Sequence, residues 1–255
     1  MSQAERTTDH IGVISGEAAS TRTSPLSGTI APPAGVELTA REHGRVTNVS
    51  CRALDVVGAG LGLLLLSPAL IAIAVAVRLD SDGRALYRQT RFGRGLRPFT
   101  VNKFRTMHRD ASYEEHRAFV QRLIAGDAEQ HCSVDDVALF KLAGDPRVTR
   151  FGRFLRRSSL DELPQLINVL KGDMSLVGPR PPVEYEVERY PDHAFGRFAV
   201  KPGITGLWQT GGRSEVAFEE MIALDLDYVE RRSLWLNVKV LLRTVPVVLQ
   251  RKGAA

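Results

Sequence analysis

The chain of 255 residues has 44% apolar and 25% charged side chains, which is ordinary for one substantial folded domain with appendages. Its formal charge is +5, with +6 in residues 51–255, where 30 Lys or Arg face 24 Asp or Glu, and this suits anionic lipid headgroups or nucleotide diphosphates. Nucleic acid is disfavoured, because the arginines sit beside carboxylates and an apolar segment and no zinc-finger spacing or RNA-binding aromatic motif occurs.

Residues 1–50 mix Ser, Thr, Gly, Pro and Ala without periodicity, and they are predicted to be a disordered tail. A membrane helix is predicted over residues 51–80. Within it, Val56 to Val77 form 22 consecutive positions without a charge. A straight helix of that length extends about 33 Å, against a hydrocarbon core of about 30 Å. Pro68 stands in the middle, where it removes a donor and clashes with the preceding turn, so a kink or break is expected after Ser67. Arginines flank both ends, with Arg45 and Arg52 before and Arg78 and Arg84 after. Charge asymmetry therefore sets no orientation, and a spanning helix and a re-entrant hairpin both fit. Gly58 and Gly62 are not spaced as a dinucleotide loop; they are read as allowing close helix packing in lipid.

Residues 81–255 are predicted to form the main domain. Asp80 to Arg105 is basic and short-segmented, and is read as a small sheet near the headgroups. Residues 110–142 are polar and read as a surface insertion. Leu163, Leu166, Ile167 and Leu170 recur at helical spacing, which predicts a helix from Asp161 to Leu170, stopped by Lys171-Gly172. Asp225-Leu226-Asp227 has the form of a metal-binding DxD, but on a helix alternate residues diverge, so it is read as structural. Ser233 to Gln250 is either a last core helix or an amphipathic helix in the membrane interface. Cys51 and Cys132 belong to no metal or redox pattern and indicate a reduced compartment.

The chemistry is densest at Asp161-Glu162, two adjacent carboxylates behind Arg147, Arg150, Arg153, Arg156 and Arg157. A structural account exists: Ser159 and Glu162 fit a capping box, or Asp161 itself caps the helix. The arginines add a second account, because a positive field at a helix start keeps Asp161 ionised and able to act as a nucleophile, and it also binds phosphate. One carboxylate can attack phosphorus while the other carries a metal ion or moves a proton.

Several blocks in order then resemble one family. They are Lys103-Phe104-Arg105-Thr106-Met107, Ser158 to Leu166, Asn168 to Pro181 and Lys201 to Gln209 with Gly212-Arg213. From about residue 51 to 250 the chain is similar to the bacterial sugar transferases, the monotopic polyprenyl-phosphate hexose-1-phosphate transferases. The resemblance implies transfer of a sugar 1-phosphate from a UDP-sugar to polyprenyl phosphate, with release of UMP and a covalent phosphosugar on Asp161. It assigns Glu162 to Mg²⁺ and Lys103, Arg156, Arg180 and Arg213 to phosphate or nucleotide contacts. It makes Ser67-Pro68 the break of a re-entrant membrane helix, which puts tail and catalytic domain on the cytoplasmic face of the bacterial inner membrane. The expected fold is α+β and mostly helical, a small cytoplasmic catalytic domain on amphipathic interface helices, in contact with membrane lipid. The identity of the sugar and the existence of a homodimer are left open.

Overall fold

The apolar run folds as one helix, α1 (Arg45–Asp80), in the computed structural model, which describes residues 31–33, 44–108, 147–211 and 217–249. Most of the tail and the whole 110–142 insertion lie outside the described residues. α1 begins inside the segment read as tail and passes through Pro68 without ending, so the expected break is not a gap in the helix. The reason is local. Pro68 lacks the N–H that would serve the Leu64 carbonyl, and the Ser67 hydroxyl donates to that carbonyl at 2.8 Å instead. A carbonyl left without a donor in an apolar environment would cost several kcal/mol.

One face of α1 carries the buried Cys51, Asp55, Ala59, Ile73 and Val77, while Val57, Leu61, Leu64, Leu65 and Ile71 are exposed. Among the described residues it is the one helix long and apolar enough to cross a membrane, by length and composition. Gly58 and Gly62 do allow close packing, but the partner is the domain itself. A Cβ on Gly58 would meet Leu176 Cδ1 at 2.7 Å, and one on Gly62 would meet Leu166 Cδ1 at 3.1 Å. Gly58→Val is therefore expected to lower stability by about 1–3 kcal/mol through overpacking, which thermal unfolding in detergent would measure.

Charges at the start of α1 fasten it to the same domain. Arg52 donates to the carbonyls of Val169 at 2.6 Å and Leu170 at 2.8 Å, the open end of helix α3 (Gln165–Lys171). Asp55 Oδ1 accepts from the Ser175 hydroxyl and the Leu176 amide, each at 2.8 Å.

The described residues are mostly helical with two small sheets. The first is the expected one, an antiparallel hairpin of β1 (Leu86–Phe92) and β2 (Pro98–Phe104) with Leu86 opposite Phe104. The second is parallel, β3 (Ser175–Val177) beside β4 (Gly203–Thr205), and is too short to leave a period in the sequence. Helix α2 (Arg150–Ser158) precedes α3. The short α4 (Glu184–Val187) and α5 (Leu207–Gly211) follow, then α6 (Phe218–Arg231) and α7 (Leu234–Leu249). Ala59, Val101, Val169, Met174, Val177, Tyr228 and Val240 form one core, and Ile73, Val77, Phe104 and Leu155 a second, so α1 contributes to both. α7 turns Asn237 and Val240 inward and leaves Trp235, Leu242 and Val245 exposed, so it has both a core face and an apolar outer face.

Candidate active site

Thr149 starts α2, its hydroxyl accepting the Gly152 amide at 2.9 Å. The helix ends at Ser159, whose φ of 56° is left-handed, and the chain then makes a 3₁₀ turn over Leu160–Glu162. Neither capping arrangement expected for the carboxylates forms: Ser159 makes no side-chain cap, and Asp161 and Glu162 lie in the turn before α3 rather than at its first residues. The helix expected over Asp161 to Leu170 accordingly begins at Gln165. Its end is as expected, with Gly172 in the left-handed region at φ 91°.

Asp161 is buried, and Glu162 keeps 33% of its side chain exposed. Lys103, on β2, holds Glu162 through Nζ to Oε1 at 2.9 Å. Asn168 keeps β2 and α3 in register: its Oδ1 accepts from the Asn102 amide at 3.1 Å and its Nδ2 donates to Thr100 O at 2.6 Å. Arg156 Nε donates to the Thr106 hydroxyl at 2.9 Å, which ties α2 to the residues after β2.

Arg180 lies within the field of Glu162. Its guanidinium bonds Glu186 of α4, with Nη1 at 3.1 Å from Oε2. The structure thus brings Lys103 to the Glu162 carboxylate, holds Arg180 on Glu186, and anchors Arg156 beside β2. Arg213 lies outside the described residues.

The buried charges behind Arg180 are not among the residues that sequence reasoning singles out as a site. Arg91, read as part of a headgroup-facing stretch, is buried and donates to Pro181 O at 2.6 Å. Burial, then the neighbouring Arg180, pushes its pKa down to about 10. Arg197 pairs with Asp225 at 2.6 Å, with both side chains almost fully enclosed. These partners are far apart in the chain, and the one signal for them is the rigid Gly178-Pro179-Arg180-Pro181, whose arginine needs a fixed counterion.

Burial pushes the Glu186 carboxyl up, but Arg180 and Arg91 outweigh it and hold the group below its ordinary value of 4.5. A carboxyl depressed in the folded state adds stability that is complete above that value and is lost as pH falls through the folded pKa. Glu186→Gln is therefore expected to make the acid limb of unfolding shallower than in the wild type, as followed by circular dichroism below pH 4.5.

The structural reading of Asp225-Leu226-Asp227 holds in its geometry. Asp225 is enclosed against Arg197, whereas the exposed Asp227 pairs with Arg231 one turn on. Among the described residues no three His, Cys, Asp or Glu side chains converge into a metal cage. Mg²⁺ commonly needs only one or two carboxylates plus substrate phosphates, a donor set that the adjacent Asp161 and Glu162 match.

The structure combines an apolar helix of membrane-spanning length with a domain that carries an adjacent carboxylate pair, one member of it held by Lys103. The chain belongs to the bacterial sugar transferase family, whose sequence pattern matches residues 46–251. It is 42% identical over 207 residues to the galactosyl transferase CpsE of Streptococcus agalactiae serotype III, a match covering 81% of this chain and 43% of that one. With the UDP-glucose:undecaprenyl-phosphate glucose-1-phosphate transferase of Caulobacter vibrioides it shares 43% over 232 residues, covering 85% and 78%. The exopolysaccharide production protein ExoY of Rhizobium meliloti is 39% identical over 203 residues, covering 80% and 87%. The chain thus spans about two fifths of the streptococcal relative and most of the other two.

Proposed function

We propose that this protein transfers a sugar 1-phosphate from a UDP-sugar to polyprenyl phosphate at the cytoplasmic face of the bacterial inner membrane, opening polysaccharide or glycoconjugate assembly. The observation that carries this is the tight turn that presents Asp161 beside Glu162, with Glu162 held on the Lys103 ammonium of β2. The names of the relatives, which include undecaprenyl-phosphate glucose-1-phosphate and galactose phosphotransferases, support the same chemistry.

An Asp161 oxygen attacks the phosphorus that bears the sugar, the bond from that phosphorus to the UMP oxygen breaks, and UMP leaves with the electron pair. Asp161 then carries the sugar phosphate. An oxygen of polyprenyl phosphate attacks the same phosphorus, and the carboxylate departs free. Arg180, Arg156 and Lys103, with Arg213, hold the phosphate oxygens through these steps and offset the charge that develops on UMP. Mg²⁺ bound by Glu162 would neutralise the diphosphate.

In this reading the helix that runs on through Pro68 bends at Ser67-Pro68 when it is in the bilayer, so that α1 enters and leaves the same leaflet. Its test uses Val46→Cys and Leu79→Cys, two exposed positions near the helix ends, in a chain whose native cysteines are replaced by Ala. Both positions are expected to react with an impermeant thiol reagent only from the cytoplasmic side of oriented vesicles. Labelling from opposite sides would mean a full span.

The reaction is tested by UMP release from purified protein in nanodiscs, with undecaprenyl phosphate, Mg²⁺ and a panel of UDP-sugars. Turnover with one sugar that requires both the lipid phosphate and Mg²⁺ is expected. Folded, lipid-bound protein that releases no UMP from any of them would overturn the reading.

A further inference from the structure

Pro179-Arg180-Pro181-Pro182 has three prolines and so lacks three of its four backbone donors, and it cannot order itself by a ladder of its own. Yet each of its four carbonyls accepts a hydrogen bond from elsewhere. Gly203 N of β4 donates to Pro179 O at 2.9 Å, and Phe92 N of β1 to Pro182 O at 3.0 Å. Between them, Arg197 Nη2 donates to Arg180 O at 3.0 Å and Arg91 Nη1 to Pro181 O at 2.6 Å. Two buried arginines therefore do for this segment what main-chain amides do for a strand.

The side chain is held as well. Glu186 is 0% exposed and its Oε2 accepts from both the Val183 amide at 3.2 Å and Arg180 Nη1 at 3.1 Å, while Oε1 lies 3.4 Å from Nη2. The carboxylate is fixed from behind by backbone, and 21% of the Arg180 side chain remains open. A counterion serving stability alone could sit at the surface, where ion pairs cost little to form. Enclosing a carboxylate completely is expensive, and here it sets the angle of one partly open guanidinium.

We infer that Glu186 is a positioning residue for Arg180, and that Arg91 and Arg197 fix the main chain beneath it. The guanidinium is thereby presented already oriented to the diphosphate of a nucleotide-sugar donor. This rests on the proposed sugar-phosphate transfer. Glu186 touches no reacting atom and acts only through Arg180.

A double-mutant cycle on the full chain in nanodiscs tests it, reading kcat/KM for the UDP-sugar that the wild type uses and the affinity for UDP by calorimetry. Glu186→Gln keeps the shape and one acceptor, and is expected to lower kcat/KM about 100-fold, the scale of an error of about 1 Å in a clamp. In the Arg180→Ala background the same change should cost nothing further, and UDP binding should weaken equally in all three variants. A merely structural role would give losses that multiply. Glu186→Asp, which keeps the charge but withdraws it by one methylene, should also lose activity and UDP affinity while melting near the wild type, and it carries the test if Glu186→Gln fails to fold. Multiplying losses, or wild-type kinetics in a folded Glu186 variant, would overturn the inference alone. No turnover by the wild type would overturn the functional reading and the inference with it.

Discussion

Asp161→Asn is expected to lower UMP release by about 10⁴-fold or more, the range that follows removal of a covalent nucleophile. Asparagine preserves the size of the side chain in its enclosed position, so folding and lipid binding should survive. What it lacks is an anionic oxygen to bond phosphorus. The discriminating measurement uses donor alone. With a labelled UDP-sugar and no lipid phosphate, the wild type should retain label on the protein and lose it when polyprenyl phosphate is added, whereas the Asn variant should never acquire it. Turnover by the Asn variant near the wild-type rate would instead mean that the lipid phosphate attacks the donor directly, and Asp161 would be a structural residue of the turn.

Asp225→Ala is expected to cost about 3–5 kcal/mol of stability, the scale for leaving a buried charge without its partner. Arg197 is 2% exposed, so water cannot replace the carboxylate it loses. Replacing both, as Arg197→Met with Asp225→Leu, should restore part of the stability, because an apolar pair avoids the desolvation of two ions while the Arg180 carbonyl and Tyr190 hydroxyl lose their donor. Activity should not return with it. Arg197 also donates to the Arg180 carbonyl and, at 2.6 Å, to the Tyr190 hydroxyl, and methionine supplies neither bond. Thermal unfolding read beside UMP release separates the two. Recovery of both would show that the Arg180 main chain needs no such anchor.

The buried pairs also explain why the site was only partly legible. Asp161, Glu162 and the Arg180 segment stand out because the residues of each motif are neighbours in sequence, and adjacency of like carboxylates or of prolines around an arginine is unusual enough to notice. Lys103 was drawn from its own short block, and its contact with Glu162 crosses 59 positions. Arg91, Glu186 and Arg197 lie in separate stretches of ordinary composition, where each charge reads as a solvated one, and Asp225 stands out only as part of a DxD read as structural. Burial makes them consequential, and burial belongs to the assembled core. The capping readings failed for a similar reason. Spacing alone fits a Ser159 to Glu162 box, but the left-handed turn at Ser159 and the Lys103 ammonium across the site direct Glu162 elsewhere.

By itself the sequence determined the apolar helical segment, a small sheet within residues 83–105, the helix stop at Gly172 and the carboxylate pair, since each depends on composition or period within a short window. Only the tertiary structure decided that Gly58 and Gly62 seat α1 on the domain, that Arg52 and Asp55 tie the two together, and that Ser67 serves the carbonyl Pro68 leaves open. Those are the contacts by which buried polar groups find partners, and which partner lies within about 3 Å is a property of the packed chain.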